Sequence, residues 1–198
     1  MHSKCIFTCM IFGENMKRLD QLKILLFKIL IKNSPPDIRV LIARKWGVKI
    51  GKDCTIFECS FGTEPYLISI GNHTEIAGNV SFITHDDGIW IFQEEGRFPG
   101  SKYGPIIIHD NCYIGSNAII LPGVVIGPNS IIGAGSVVTK NVPPNKVYAG
   151  NPAKCIYGID DYLNKCELKN TGKIRYADKR IILVKIFKDR LNERKTGR

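Results

Sequence analysis

The sequence predicts a mainly-β solenoid whose chain turns a corner every six residues. One aliphatic residue returns at every sixth position: Ile108, Ile114, Ile120, Ile126, Ile132 and Val138. The fifth position of the same hexads holds a small or β-branched residue: Cys112, Ala118, Val124, Ser130, Ser136 and Val142. A period of six fits neither an α-helical turn nor simple strand alternation, and sustained self-similarity is typical of repeat proteins. We expect three hexads to close one triangular coil, with each aliphatic residue stacked on its equivalent three hexads later.

Short helices are expected on both sides of the coils. Residues 17–32 place leucines and isoleucines on one helical face, and Asn33–Pro36 ends that helix. A second helix is predicted over residues 37–46 and a third over residues 160–169. The predicted organisation is a dispensable leader (1–16), an N-terminal helical segment (17–49), the β-helix domain (50–157) and a C-terminal helix with a basic tail (158–198).

A long loop interrupts the repeat directly after His85. The hexad register lapses over residues 86–104 and resumes at Ile106. A loop of this length inside a strict repeat is usually functional. It carries aromatic side chains among charged ones, namely Trp90, Phe92, Phe98 and Tyr103. We expect a protruding arm that covers a pocket or a neighbouring subunit.

Composition excludes several classes of protein. The 198 residues are 44% hydrophobic and 23% charged, which is typical of one globular domain rather than a disordered chain. No apolar run approaches the roughly 20 residues that cross a bilayer. The seven cysteines are an odd number without any Cys-x2-Cys pair. A disulfide framework or zinc ribbon is therefore not expected, and a reducing cytoplasm fits best.

The net charge of +10 is concentrated at the two ends. Residues 1–49 hold ten basic and three acidic residues, as do residues 173–198, so each end carries +7. The middle holds eight basic and twelve acidic residues, or −4. The basic ends would suit peripheral association with an anionic membrane face. The tail lacks aromatic interleaving and any known nucleic-acid module, so no nucleic-acid partner is expected.

Three segments resemble the hexapeptide-repeat acyltransferases: Gly115-Ser116, the run Gly133–Lys140 and the ending Gly150–Lys154. They are similar to the branch that contains the galactoside, maltose and xenobiotic acetyltransferases. A second match, Phe61–Ile68 followed by Ile83–Asp86, resembles acyltransferases of bacterial surface-polysaccharide pathways. The resemblance covers residues 50–157. It implies a left-handed parallel β-helix, a homotrimer with active sites between neighbouring β-helices, and acyl transfer from acetyl-CoA to a hydroxyl or amine.

The resemblance also implies roles for single residues. His85 matches the general base, which an alcohol needs because it is a poor nucleophile at neutral pH. Backbone contacts along the pantetheine arm are implied for Ser116 and Ala134. Positions near the nucleotide phosphates are implied for Thr139, Lys140 and Lys154. Asp86 and Trp90 are the predicted substrate residues, Asp86 and Asp87 are candidates to orient His85, and no metal is expected.

Several functions stay open at this stage. The leading hypothesis is an O-acetyltransferase that acts on a sugar of a surface polysaccharide or its lipid-linked precursor. N-acetylation of an amino or nucleotide sugar would use the same base. A zinc hydratase needs three converging histidines, yet His73 and His85 lie 12 positions apart and no His-x4-His pair exists. A non-catalytic β-helix scaffold is the remaining alternative.

Overall fold

The computed structural model describes residues 22–23, 25–93, 96–97, 100–167 and 183–185. Helix α1 comprises residues 22–23 and 25–33. The helices that follow it in the described residues are α2 (Pro36–Lys45), α3 (Trp90–Gln93) and α4 (Ile159–Glu167), and residues 183–185 are also helical. Two 3-10 turns span Pro65–Leu67 and Asp87–Ile89. None of the helices described is both long enough and apolar enough to cross a membrane.

The strands are short, as expected for a chain that turns every six residues. Within the described residues they are β1 (Lys49–Ile50), β2 (Thr55–Ile56), β3 (Cys59–Ser60), β4 (Ile68–Ile70), β5 (Glu75–Ile76), β6 (Val80–Phe82), β7 (Ile106–Ile108), β8 (Tyr113–Ile114), β9 (Ile119–Ile120), β10 (Val125–Ile126), β11 (Ile131–Ile132), β12 (Val137–Val138), β13 (Lys146–Ala149) and β14 (Lys154–Gly158).

The strands form the three sides of a triangular prism. One sheet has the order β1-β4-β7-β10, the second β2-β5-β8-β11-β13-β14 and the third β3-β6-β9-β12. All neighbours pair in parallel except the closing hairpin of β13 and β14. Ile114 pairs with Ile132 and Ile120 with Val138, eighteen residues apart in each case. The predicted stacking at three hexads is confirmed.

The hexad positions form the core as predicted. The aliphatic residues from Ile108 to Val138 are at most 1% exposed, and the fifth-position residues are at most 4% exposed. A serine hydroxyl is tolerated inside these corners because it donates a hydrogen bond to a backbone carbonyl. Ser136 Oγ lies 2.6 Å from Gly133 O, and Ser130 Oγ lies 3.1 Å from Pro143 O. Buried polar groups are stable when paired in this way.

One corner of the prism carries a ladder of side chains. His73, Asn111, Asn129 and Asn145 all have positive φ, a conformation that asparagine tolerates better than most residues. Their side chains bond in sequence at 2.8, 2.8 and 2.9 Å. His73 is therefore a turn residue in this ladder.

The coils are not equal in length, and the extra residues build the site. Ile50 pairs with Ile70 at a separation of 20 rather than 18, and Ile70 pairs with Ile108 at a separation of 38. The first surplus is three residues between β3 and β4, offset by one residue missing between β2 and β3, and the surplus of twenty lies in the predicted arm after His85. Both surpluses follow strands of the third sheet, β3 and β6, so they leave the prism at the same edge.

Helices α1 and α2 cover the first coil. Phe27 of α1 is 4% exposed and stacks on Trp46 with ring centroids 4.8 Å apart. Helix α2 begins at a proline, whose fixed φ suits the first helical turn. The helix predicted over 37–46 is confirmed as α2. The helix predicted over 160–169 is confirmed as α4 as far as Glu167, and residues 168–169 lie outside the described residues.

The chain divides into two compact units, with the boundary between Ile159 and Asp160. The four predicted segments stay predictions. The leader over 1–16 and the first residues of the helix expected from residue 17 lie outside the described residues.

Candidate active site

His85 stands at the base of the protruding arm, just after β6. The base is closed by an antiparallel bridge between His85 and Tyr103. Asp86 N–H donates to Lys102 O at 2.9 Å, and Gly104 N–H donates to Thr84 O at 2.8 Å. The arm thus leaves and rejoins the prism at one point, and its base holds the imidazole at the edge of the third sheet.

Glu64 orients the His85 ring. Its Oε2 lies 2.9 Å from His85 Nδ1. Because a carboxylate only accepts, Nδ1 carries the hydrogen, and in the neutral ring Nε2 keeps its lone pair. Glu64 is itself fixed by two hydroxyls, Thr84 Oγ1 at 2.6 Å from Oε2 and Thr63 Oγ1 at 2.6 Å from Oε1. The hydrogen bond between Glu64 and His85 Nδ1 therefore leaves Nε2 as the basic nitrogen of the ring.

The first coil brings Glu64 beneath His85 through its surplus residues. Cys59 pairs with Val80 at a separation of 21, and Phe61 stacks on Phe82 at 5.4 Å with the same separation. Glu64 and His85 are also 21 residues apart. Gly62 permits this path because its φ is +67°, and a Cβ there would lie 3.2 Å from Phe82 O.

Sequence reasoning missed Glu64, although it lies inside one of the matched segments. Phe61 and Phe82 are 21 residues apart, as are Glu64 and His85. This shared separation was the signal in the sequence that could have identified Glu64 as the partner of His85.

The two aspartates after His85 have different roles. Asp87 Oδ2 lies 3.3 Å from His85 Nε2, and its side chain is 90% exposed. Asp86 accepts from Gly88 N–H at 3.0 Å and from Lys102 Nζ at 2.8 Å, one bond to each carboxylate oxygen. Asp86 therefore organises the arm, whereas Asp87 contacts the imidazole.

The surroundings shift the pKa of His85, Glu64 and Asp86. The hydrogen bond to Glu64 raises the pKa of His85, burial lowers it, and the negative charges of Glu64 and Asp87 raise it further, so that it lies above its ordinary value. Burial raises the pKa of Glu64, but hydrogen bonds from Thr63, Thr84 and His85 outweigh burial and hold it below its ordinary value. The bonds from Lys102 and Gly88 lower the pKa of Asp86. The carboxylates of Glu64 and Asp86 thus stay ionised, and Glu64 favours the imidazolium.

An open depression lies in front of the imidazole. It is lined by Ile83, His85, Asp86, Asp87, Leu121 and Pro122. The predicted substrate residue Trp90 is 59% exposed on the arm and lies outside this lining. Tyr103 is also exposed, and Phe98 lies outside the described residues. Within one chain the arm therefore presents Trp90 outward, whereas the Tyr103 ring lies edge-on to the His85 ring with centroids 6.1 Å apart.

The predicted coenzyme residues occupy three places. Ser116 and Ala134 stack at one corner, where Gly135 N–H donates to Ser116 O at 2.8 Å. Thr139 and Lys140 follow β12 in the same register as Ile83 and Thr84 follow β6. They share the edge of His85 two coils away, about 10 Å at the usual strand spacing. Lys154 starts the closing hairpin opposite Ala149.

The comparisons with known proteins agree with this architecture. The family described as Bacterial transferase hexapeptide (six repeats) matches residues 105–140. Protein CapG of Staphylococcus aureus is 50% identical over 153 residues, covering 74% of this chain and 87% of CapG. A maltose O-acetyltransferase structure from Clostridium difficile 630 is 30% identical with a TM-score of 0.53, covering 67% of this chain and 82% of that one. The chain belongs to the hexapeptide-repeat acetyltransferases.

Membership in this family means that the prism is a left-handed parallel β-helix. A structure of galactoside acetyltransferase in complex with coenzyme A is 27% identical with a TM-score of 0.50, covering 74% of this chain and 84% of that one. The predicted fold class and enzyme class are both confirmed.

Proposed function

We propose that this acetyltransferase moves the acetyl group of acetyl-CoA to a sugar hydroxyl during surface-polysaccharide biosynthesis, with His85 as general base. The observation that carries the proposal is the contact between His85 and Glu64, which leaves Nε2 as the basic nitrogen of an imidazole that lines an open depression. The related structures named maltose O-acetyltransferase and galactoside acetyltransferase with coenzyme A support the donor and the acceptor class.

The proposed chemistry needs no protein nucleophile. The acceptor hydroxyl donates its hydrogen to His85 Nε2 and displaces Asp87 from that nitrogen. As the oxygen attacks the thioester carbonyl, its proton passes to Nε2, and backbone N–H groups of the coils stabilise the oxyanion. The C–S bond then breaks, the thiolate of coenzyme A takes the proton from His85, and the acetyl ester is released. Glu64 stabilises the imidazolium between these two steps.

The same proposal includes a homotrimer in which coenzyme and acceptor meet between neighbouring β-helices. The outer faces of the strands carry apolar side chains, such as Ile107 at 36% and Tyr113 at 40% exposure, which suit a subunit contact. Ser116 and Ala134 would line the pantetheine arm, and the arm with Trp90 would reach a neighbouring subunit. A cytoplasmic enzyme of this kind would meet lipid-linked precursors at the inner membrane face.

The alternatives differ in their support. N-acetylation would use the same His85 and would appear in an acceptor screen as activity on amino sugars only. A scaffold has no need of a histidine held by a partly buried carboxylate. For the hydratase, His73 belongs to the turn ladder and His85 to another edge of the prism, so these two histidines do not converge within one chain.

Replacing Lys140 by alanine tests the coenzyme site. We expect its Kd for acetyl-CoA to rise about three- to tenfold, because a lysine near the nucleotide phosphates acts as a point charge. Isothermal titration calorimetry at low and high salt measures this, and the difference from the wild type should shrink as salt screens the charge. Lys52→Ala, an exposed lysine of the first coil, is the matched control. Wild-type protein that is folded yet does not bind acetyl-CoA would overturn the proposed function.

Replacing Glu64 by glutamine tests the positioning of the base. Since Glu64 raises the pKa of His85, the wild-type activity should fall at acidic pH with an apparent pKa above 6.5, the ordinary histidine value. In Glu64→Gln the acidic limb of the pH profile should move to lower pH. The kcat of this variant at pH 8 should fall about 10- to 100-fold because the imidazolium loses its counter-charge. The pH dependence of kcat measures both effects, and Glu75→Gln is the control. An unmoved acidic limb would contradict the role of Glu64.

A further inference from the structure

We propose that helix α1 docks this enzyme onto an anionic lipid bilayer through an exposed apolar stripe. The α1 stripe consists of Leu22, Leu25, Leu26, Ile29 and Leu30, which are 62, 54, 51, 49 and 39% exposed. The inference extends the proposal that this enzyme acts at the inner membrane face. It rests on that part of the proposed function and not on the acetyl-transfer chemistry.

The stripe occupies the side of α1 that faces away from the coils. At about 100° per residue its members fall within a sector of about 140°. The buried side chains of the helix, Phe27 at 4% and Ile31 at 3% exposure, lie on the other side. A surface helix of a globular protein usually carries polar residues opposite its buried face. Here the outer face is aliphatic as well, and exposed apolar patches mark interaction surfaces.

Lysines border the stripe on both sides. By the same helical spacing Lys23 lies at one margin and Lys28 and Lys32 lie at the other, and all three are exposed. The sequence from 22 to 33 contains no acidic residue. A lysine at such a margin can lay its stem along apolar surface and keep its ammonium among lipid headgroups. This arrangement matches helices that lie in the membrane interface.

Contacts within its own chain hold helix α1 in place. Arg39 Nε donates to Ile31 O at 2.7 Å and its Nη2 donates to Lys32 O at 3.2 Å. Phe27 stacks on Trp46 and lies 6.2 Å from Phe61 between ring centroids. The stripe is therefore presented on a preformed helix, and docking needs no folding step.

Charge favours a bilayer over a second copy of the chain. Two copies paired through their stripes would bring the lysine borders together with no carboxylate in α1 to neutralise them. An anionic bilayer supplies the opposite charge along both borders, and residues 1–49 carry a net +7.

Sedimentation with lipid vesicles tests the inference. The full-length protein is mixed with phosphatidylcholine vesicles or with vesicles that contain phosphatidylglycerol as well, at physiological salt. We expect binding to the anionic vesicles at least tenfold stronger than to the neutral ones. The triple variant Leu25→Gln, Leu26→Gln, Ile29→Gln should lose at least tenfold of that binding, and Lys28→Gln with Lys32→Gln should lose about tenfold or more. Ile156→Gln with Leu163→Gln, which removes exposed apolar side chains elsewhere, should bind like the wild type.

Two further measurements separate the possible outcomes. The circular dichroism spectrum and the Kd for acetyl-CoA should be the same in the stripe variants as in the wild type. A failure of the proposed acetyl-transfer function would therefore appear in the acetyl-CoA calorimetry, whereas a failure of membrane docking would appear in vesicle binding. Equal vesicle binding by the wild type and the triple variant, or no binding by either, would overturn the inference. A lower oligomeric state of the triple variant in light scattering would also overturn it and would assign the stripe to a subunit contact.

Discussion

Replacing His85 by alanine is expected to lower kcat for acetyl transfer about a thousandfold, while acetyl-CoA binding stays within twofold of the wild type. The imidazole lines the open depression, and its Nδ1 is held by Glu64 at 2.9 Å. A positioned general base contributes about 10²- to 10⁴-fold to the rate. Release of free coenzyme A thiol in the presence of a sugar acceptor measures kcat, and calorimetry measures the Kd.

A histidine control separates catalysis from a general effect of the substitution. His109→Ala removes an exposed imidazole that directly follows the buried Ile108. Its activity should match the wild type. If His85→Ala retained more than about a tenth of the wild-type kcat, the proposal that His85 is the base would be wrong.

Replacing Ile108 by alanine is expected to lower the free energy of unfolding by about 2 to 5 kcal/mol. Ile108 is 1% exposed and stacks between Ile70 and Ile126 inside the prism. A solenoid has a thin core in which each coil contacts only its neighbours, so a cavity there has few side chains that can move in to fill it. Urea unfolding monitored by circular dichroism measures the change.

The neighbouring residue in the same strand is the matched control. Ile107 has the same side chain but is 36% exposed on the outer face of β7. Ile107→Ala should lower the free energy of unfolding by clearly less than Ile108→Ala does, because part of the Ile107 side chain stays in water and its removal leaves no cavity inside the prism. Equal losses for the two variants would contradict the inward and outward assignment of the strand.

The two surplus segments show where prediction from the sequence ended. The arm after His85 was visible in the sequence because twenty residues broke a strict period. The surplus of three residues between β3 and β4 was visible only as a slight loss of register, and its consequence depends on which strand the next coil places above it. Asp86 illustrates the same limit, since adjacency to His85 in sequence suggested contact, whereas the 3-10 turn directs Asp86 to Gly88 and Lys102.

The sequence by itself determined the triangular coil, its stacking interval and its core, because a six-residue period allows only one arrangement that buries every aliphatic position. Its resemblance to the hexapeptide-repeat acyltransferases also pointed to His85, at the end of the last regular coil before the arm, as the candidate base. Only the tertiary structure decided that Glu64 is the partner of His85, that Asp87 rather than Asp86 contacts Nε2, and that α1 exposes an aliphatic face. Those contacts depend on distances between coils and on which helix face is buried, and the local sequence pattern does not contain that information.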